Sequence, residues 1–249
     1  KEMLEAYQEF IGKTSAGGKV FVNEKVNLKG ISYGFGKNND YQIINLSIEE
    51  GKYRFDIKTP TEILQNFSDG LPGKHNLSNA LLATAMALEW GIGPEKIRKG
   101  LENFEGVERR FTRLIDTADC VLIDDYAHHP SEIDAVYEAL TAFYPNRKKT
   151  VVFQPHLYSR TRDFMEDFAV SPSAFDRVRL LDIYPARELP IEGVTAQSLL
   201  ERIAAGDKKV LSKEELLQEL TVKKPELLIL LGAGDIADLT PPIKEILNA

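Results

Sequence analysis

The stretch CVLIDDYAHHPSEI (residues 120–133) decides the fold class, because its apolar run ends abruptly in polar residues and a helical pattern follows. Three later runs behave alike: TVVFQP (150–155), VRLLDIYP (178–185) and ELLILLGAG (226–234). Helical patterns lie between the runs, at about 130–144, 159–170, 195–204 and 212–220. Such alternation predicts an α/β fold, in which right-handed crossovers join a mostly parallel sheet with helices on both faces.

The first half of the chain has a different periodicity of apolar residues. After a helical pattern at about residues 1–12, four segments alternate apolar and polar residues between turns: KVFVN, GISYGF, YQIINLSI and KYRFDIKT. These predict short antiparallel strands, and the helical segments PGKHNLSNALLATAMALEW and PEKIRKGLENF follow them. We therefore expect two domains, a smaller α+β segment at 1–105 and the α/β domain at 106–249.

Composition excludes several classes of function. The net charge of −7, with scattered Lys and Arg, argues against a nucleic-acid partner but leaves a nucleotide-sized ligand possible. Cys120 is the single cysteine, so no internal disulfide can form, and a cytoplasmic location is expected. No stretch approaches the roughly 18 apolar residues of a membrane span. The opening KEMLEAYQEF lacks an initiating Met, which suggests a piece of a longer protein or processing.

The segment DDYAHHP should lie at the edge where ligands collect, outside the carboxyl ends of the strands. His128 and His129 are adjacent and diverge on a helix or a strand, which disfavours a shared metal ion. A carboxylate there can accept both hydroxyl hydrogens of a ribose. A structural alternative is that an aspartate ends the strand and Ser131 caps the next helix.

A second polar pair lies at a helix start. Asn76 and Asn79 are three residues apart and share a helix face. A carboxamide offers a donor and an acceptor, which match the N6/N7 edge of adenine. Helix caps or solvated side chains are the alternative.

Two glycine-rich stretches resemble nucleotide motifs only in part. Gly12-Lys13-Thr14 ends like a phosphate loop, but the required glycine five positions earlier is Tyr7. Gly232, Gly234 and Ala237 fit a dinucleotide pattern, yet its acidic ribose ligand would fall beyond Ala249. We expect a close turn between strand and helix at Gly232.

The segment FQPHLYSRTRDF (153–164) places His156, Arg160 and Arg162 after a buried strand. Guanidinium groups suit a carboxylate or a phosphate, because each can donate two parallel hydrogen bonds. A solvated helix N-terminus is the alternative, although the helix dipole disfavours cations there.

Six motifs together resemble the Mur ligase family. They follow one another in the family's order: GKHNLSN, GVERRF, DDYAHHPSEI, FQPHLYSRT, DIYPARE and LLGAGDI. The family has an N-terminal UDP-binding domain, a central ATPase domain and a C-terminal Rossmann-like domain. The resemblance implies that residues 1–105 are the C-terminal part of the ATPase domain and that residues 106–249 are the C-terminal domain.

The resemblance implies an ATP-dependent amide synthesis through an acyl phosphate. Its motifs are nearest to the member that joins L-alanine to UDP-N-acetylmuramate in peptidoglycan precursor synthesis. ATP and Mg²⁺ are the implied cofactors, and the metal ligands and the phosphate loop are expected in a missing N-terminal part of the same protein. Neither nucleic acid nor membrane insertion is implied.

The resemblance also implies residue roles on the ATP side. Asn76 and Asn79 match the positions that recognise adenine. Arg110 matches an arginine that meets the ATP phosphates, and it is the implied catalytic residue. Asp125 matches a carboxylate that holds the ribose.

On the amino-acid side, Tyr126 and His128 match substrate-binding positions, while His156 and Arg160 match those that face the alanine carboxylate. Leu157 stands where many relatives have a second arginine, so Arg162 is a possible substitute. A relative that attaches recycled murein tripeptide to the same nucleotide sugar is an alternative. Outside the family, an NAD-binding Rossmann oxidoreductase, a metal hydrolase and a non-catalytic nucleotide-binding module remain open.

Overall fold

The computed structural model describes residues 2–249. The chain divides into two compact units at the boundary between Glu105 and Gly106. We call them the N-terminal unit and the C-terminal unit and describe each by itself. No helix among the described residues is long and apolar enough to cross a membrane.

Between residues 2 and 105, the N-terminal unit contains one five-stranded sheet, in which the strands follow chain order, and three helices. Its elements are α1 (Glu2–Gly12), β1 (Phe21–Asn23), β2 (Ile31–Gly34), β3 (Tyr41–Glu49), β4 (Lys52–Lys58), β5 (Ile63–Asp69), α2 (Lys74–Glu89) and α3 (Pro94–Glu102). Because α1 ends at Gly12, a helix and not a strand precedes Gly12-Lys13-Thr14.

Strand directions in this unit differ from the expectation in part. Antiparallel pairing holds for β3, β4 and β5, but β1 with β2 and β2 with β3 pair in parallel. A three-residue strand is only about 10 Å long, so the few residues between β1 and β2 suffice to return the chain. The carboxylate of Glu24 fixes the second return by accepting hydrogen bonds from Phe35 N and Gly36 N. Alternation predicts a strand but carries no information about its direction.

The sequence did not predict β5, because its segment ILQNFSD does not alternate. Asn66 adopts a left-handed φ of 65°, and its N–H donates to the carboxylate of Asp56 at 2.9 Å. This irregularity falls where the pairing register of β4 and β5 shifts.

The C-terminal unit is the expected α/β domain. Its elements are β6 (Thr112–Asp116), β7 (Val121–Asp125), α4 (Pro130–Phe143), β8 (Lys149–Phe153), α5 (Tyr158–Asp163), α6 (Met165–Val170), β9 (Arg177–Leu180), α7 (Ala196–Arg202), β10 (Lys208–Val210), α8 (Lys213–Val222), β11 (Leu227–Leu231) and α9 (Thr240–Asn248). The sheet order is β10-β9-β8-β11-β7-β6, and only β6 pairs antiparallel.

Two apolar layers cover this sheet, which confirms helices on both faces. One layer packs α4, α6 and α7 against alternate strand residues such as Ile123 and Phe153. The other packs α8 and α9 against residues of opposite orientation, such as Leu122 and Val152. Every residue of β7, β8 and β11 is buried, as the continuous apolar runs predicted.

Candidate active site

Four rings form a row where β7, β8 and β9 end, and we call them the aromatic row. Tyr126 and His128 follow β7, His156 follows β8 and Tyr184 follows β9. The ring centroids are 5.2 Å apart from Tyr126 to His128, 6.1 Å from His128 to His156 and 5.6 Å from His156 to Tyr184. The structure thus brings three expected site residues together, and it adds Tyr184, to which the sequence assigned no role.

Arg160 belongs to the same cluster. Its Nη1 lies 3.4 Å from Nδ1 of His156. Burial lowers the pKa of His156, and the positive charge of Arg160 lowers it further, so this imidazole is neutral at neutral pH. The cluster therefore offers a cation beside a neutral hydrogen-bonding ring, which suits a carboxylate.

Arg162 is placed differently. Its side chain is exposed, and its Nε and Nη2 both lie 2.8 Å from the adjacent carboxylate of Asp163. The geometry therefore groups Arg160, and not Arg162, with the aromatic row.

The loop after β9 holds the segment that carries Arg160. Tyr184 N donates to Pro155 O at 2.8 Å, and Leu157 N donates to Tyr184 O at 2.9 Å. The carboxylate of Glu188 accepts hydrogen bonds from Ser159 N, at 2.8 Å, and from its hydroxyl. Leu157 adopts a left-handed φ of 75°, which is strained for a leucine. These contacts fix an unfavourable turn at the start of α5.

Asp125 lies below the edge and not at its surface. Only 4% of the residue is exposed, and its two carboxylate oxygens accept hydrogen bonds from Phe111 N and Ala127 N, each at 2.7 Å. Burial raises the pKa of Asp125 to about 6, against the lowering effect of those bonds. The carboxylate ties the segment before β6 to the loop after β7, while each oxygen retains a second lone pair.

A pH dependence of stability follows from this burial. Because the pKa is raised, the folded chain binds the carboxyl proton of Asp125 more tightly than the unfolded chain does. The resulting stabilisation is complete below about pH 3.8 and is lost as the pH rises through about 6. Compared with Asp125→Asn, the wild type should gain roughly 2–2.5 kcal/mol in unfolding free energy between pH 7 and pH 4. Urea unfolding of both proteins at several pH values measures the difference. A pH-independent difference would contradict the raised pKa.

Arg109 and Asp124 form a buried contact that the sequence did not predict. Arg109 Nη2 donates to Gly232 O at 2.5 Å, and Arg109 Nε lies 3.4 Å from Asp124 Oδ2. The guanidinium carbon is 5.1 Å from the ring centre of Tyr126. Arg109 therefore connects the loops after β7 and β11 and supports one end of the aromatic row. The side chain of Arg110, the expected phosphate ligand, is exposed.

The start of α4 corrects the expected cap. His129 and not Ser131 is the N-cap residue, and Pro130 takes the first helical position. The carboxylate of Glu132 accepts hydrogen bonds from His128 N at 2.9 Å and from His129 N at 3.1 Å. The cap lies two residues earlier than expected, because proline fits the first helical position, where no N–H is needed.

Asn76 and Asn79 belong to the N-terminal unit, in the first turns of α2. Asn76 Nδ2 donates to Pro72 O at 2.7 Å, so its Oδ1 is left as the acceptor for a ligand. Asn79 is exposed, and both ends of its carboxamide are available.

The glycines after β11 form a close turn. A Cβ at Gly234 would lie 2.6 Å from Gln154 Oε1 and 2.6 Å from Tyr184 Cγ. Gln154 also accepts a hydrogen bond from Ile236 N at 3.0 Å. A Cβ at Gly232 would lie 2.9 Å from Gln154 O, so close packing requires both glycines without a dinucleotide. Within residues 2–249, no group of three or more His, Cys, Asp or Glu is arranged to hold a metal ion.

Two family descriptions match the chain. "Mur ligase, glutamate ligase domain" matches residues 109–234, and "Mur ligase middle domain" matches residues 13–87. A Christiangramia forsetii protein named UDP-N-acetylmuramate--L-alanine ligase is 47% identical over 246 residues, which cover 99% of this chain and 54% of that protein. The chain thus spans about half the length of the curated relatives it matches.

Solved structures show the same fold. The UDP-N-acetylmuramate-alanine ligase of Thermotoga maritima matches with a TM-score of 0.72 and 23% identity, over 88% of this chain and 48% of that chain. The MurF protein of Acinetobacter baumannii matches with a TM-score of 0.74 and 19% identity, over 99% of this chain and 55% of that chain.

Proposed function

This chain belongs to the Mur ligase family, and on that premise we propose that it forms part of an ATP-dependent ligase that joins L-alanine to UDP-N-acetylmuramate. The observation that carries the proposal is the match of nearly the whole chain to relatives that bear this name. The pairing of Arg160 with a neutral His156 supports it, because the two can hold the carboxylate of an amino acid.

The proposed division of labour follows the two units. The N-terminal unit is the C-terminal part of the ATPase domain, where Asn79 binds the adenine edge with both ends of its amide and Asn76 adds an acceptor. In the C-terminal unit, Arg110 meets the ATP phosphates and a free lone pair of Asp125 accepts a ribose hydroxyl. Mg²⁺ would neutralise the charge of the phosphates, and we assign none of the described residues to the metal.

The aromatic row and Arg160 form the proposed amino-acid site. Arg160 and His156 orient the carboxylate, and Tyr126 and His128 line the side from which the amine attacks. The amine displaces phosphate from the muramoyl acyl phosphate, which ATP has formed because a free carboxylate is a poor electrophile. We propose a cytoplasmic location, where ATP is available.

Product analysis of the full-length protein tests this function. With ATP and UDP-N-acetylmuramate, we expect the mass of the L-alanyl product when alanine is supplied. Preferential ligation of the murein tripeptide would instead favour the recycling ligase. Hydride transfer with NAD in place of ligation would overturn the proposal.

The chain by itself should not turn over ATP. Its sequence contains no complete phosphate loop, because Tyr7 occupies the first glycine position of the partial pattern. Phosphoryl transfer requires positioned phosphates and Mg²⁺. We therefore expect no substrate-dependent phosphate release from purified residues 1–249, in a coupled assay in which the full-length ligase is active. Steady release from the chain alone would contradict this assignment.

A further inference from the structure

The rings of His128 and His156 lie edge to face with their centroids 6.1 Å apart, and their surroundings fix opposite tautomers. Which nitrogen carries the proton follows from the partners of each ring. A carbonyl or carboxylate only accepts hydrogen bonds, and a guanidinium only donates them.

The Nδ1 of His128 faces acceptors alone. It lies 2.9 Å from Tyr126 O and 3.4 Å from Glu132 Oε2. The proton of the neutral ring is therefore on Nδ1, and Nε2 carries the free lone pair. Among residues 2–249, Nε2 of His128 has no hydrogen-bond partner, so the lone pair is available to a ligand.

The Nδ1 of His156 faces a donor. Arg160 Nη1, at 3.4 Å, can only donate, so this Nδ1 is the acceptor and Nε2 carries the proton. His156 thus presents an N–H to a ligand, while His128 presents a lone pair. The N–H of His156 suits a carboxylate, and the lone pair of His128 suits a group that must lose a proton.

An α-amino acid carries both groups, separated by a single carbon. Its ammonium is mostly protonated at neutral pH and has no lone pair with which to attack. His156 has two neighbours in the row, Tyr184 and His128. His128 is the neighbour with a free ring lone pair, so we place the ammonium on its side when Arg160 and His156 hold the carboxylate.

We propose that His128 is a catalytic base, whose Nε2 takes a proton from the ammonium of the amino acid, while His156 donates its Nε2–H to the carboxylate. This assignment rests on the proposed function. The freed amine attacks the acyl carbon, the C–N bond forms and the C–O bond to phosphate breaks. Of the three ammonium protons, His128 takes one, the departing phosphate takes one and the amide keeps one.

A comparison of two nucleophiles, L-alanine and hydroxylamine, distinguishes a catalytic base at His128 from a purely structural role. Hydroxylamine is a weak base that is already unprotonated at neutral pH, so it attacks an acyl phosphate without help from a base. In the full-length ligase, His128→Asn keeps a donor to Tyr126 O but removes the lone pair at Nε2. We expect its turnover with L-alanine to fall about 10²- to 10⁴-fold. Hydroxamate formation from ATP, UDP-N-acetylmuramate and hydroxylamine should stay within a few-fold of wild type.

His129→Asn is the matched control. His129 precedes α4 and its ring packs on Phe164 at 4.7 Å, outside the aromatic row, and asparagine is a good N-cap. Both reactions should persist in this variant.

The outcomes separate the two claims. Wild-type alanine turnover in His128→Asn, or equal loss of both reactions, would overturn the base assignment and leave the ligase function intact. A wild-type protein that forms neither the hydroxamate nor the alanine product would overturn the proposed function itself. Nitrogen-15 spectra of this chain at pH 8 give an independent reading. We expect His128 protonated at Nδ1 and His156 at Nε2, and the reverse pattern would refute the proposal.

Discussion

Arg160→Ala in the full-length ligase should raise the Michaelis constant for L-alanine about 10- to 150-fold and leave that for ATP nearly unchanged. The factor corresponds to the roughly 1.5–3 kcal/mol of a hydrogen bond to a charged group. In the proposed site, Leu157 cannot share the charge of the carboxylate, so we expect Arg160 to contribute more to its recognition than either member of a pair of arginines would. Steady-state kinetics with each substrate varied in turn measure both constants.

Arg162→Ala is the matched control for this expectation. Arg162 carries the same charge two residues away, but it is exposed and engaged by Asp163. Its removal should leave the alanine constant within about twofold, as expected for an exposed ion pair. A large effect at Arg162 alone would move the carboxylate site to that residue.

Arg109→Ala should destabilise the C-terminal unit by about 3 kcal/mol. The substitution leaves Asp124, which is 5% exposed, without its compensating charge, and it also removes the hydrogen bond to Gly232 O. Breaking a buried ion pair by deleting one partner costs roughly this much. Urea unfolding followed by circular dichroism measures the loss.

Two further variants isolate the cause. Adding Asp124→Asn to Arg109→Ala removes the buried unpaired charge and should recover part of the stability. Arg110→Ala, which truncates the adjacent exposed arginine, should change stability by less than about 0.5 kcal/mol. Equal destabilisation at Arg109 and Arg110 would show that the contact with Asp124 is not the reason.

The sequence predicted the parts of the fold whose burial is continuous. The apolar runs of β7, β8, β9 and β11 have no other plausible environment than a covered parallel sheet, and all four are strands. It did not predict β6, whose side chains are only partly buried, or β10, which has three residues. The sequence also did not predict the strand directions in the N-terminal unit. Those directions depend on polar loops, such as the one that Glu24 organises.

The candidate site was predictable to the extent that its residues follow strands. Tyr126, His128, His156 and Arg160 do so, and they meet in space. The sequence could not show which of two adjacent aspartates takes which role. Neighbouring strand residues point to opposite faces, so Asp124 and Asp125 enter different environments although they look equivalent in sequence.

Tyr184 and Glu188 were missed for a different reason. Their contacts with His156, Leu157 and Ser159 join two loops about 30 residues apart, and neither loop has a periodic pattern. Only the adjacency of β8 and β9 in the sheet brings these loops together.

The most direct test of the amino-acid site is a crystal structure of the full-length protein with its amide product, UDP-N-acetylmuramoyl-L-alanine. We predict that the alanine carboxylate lies within hydrogen-bonding distance of the Arg160 guanidinium and of His156 Nε2, with the amide nitrogen on the side of His128. A carboxylate bound away from both Arg160 and His156, whether at Arg162 or elsewhere, would contradict it.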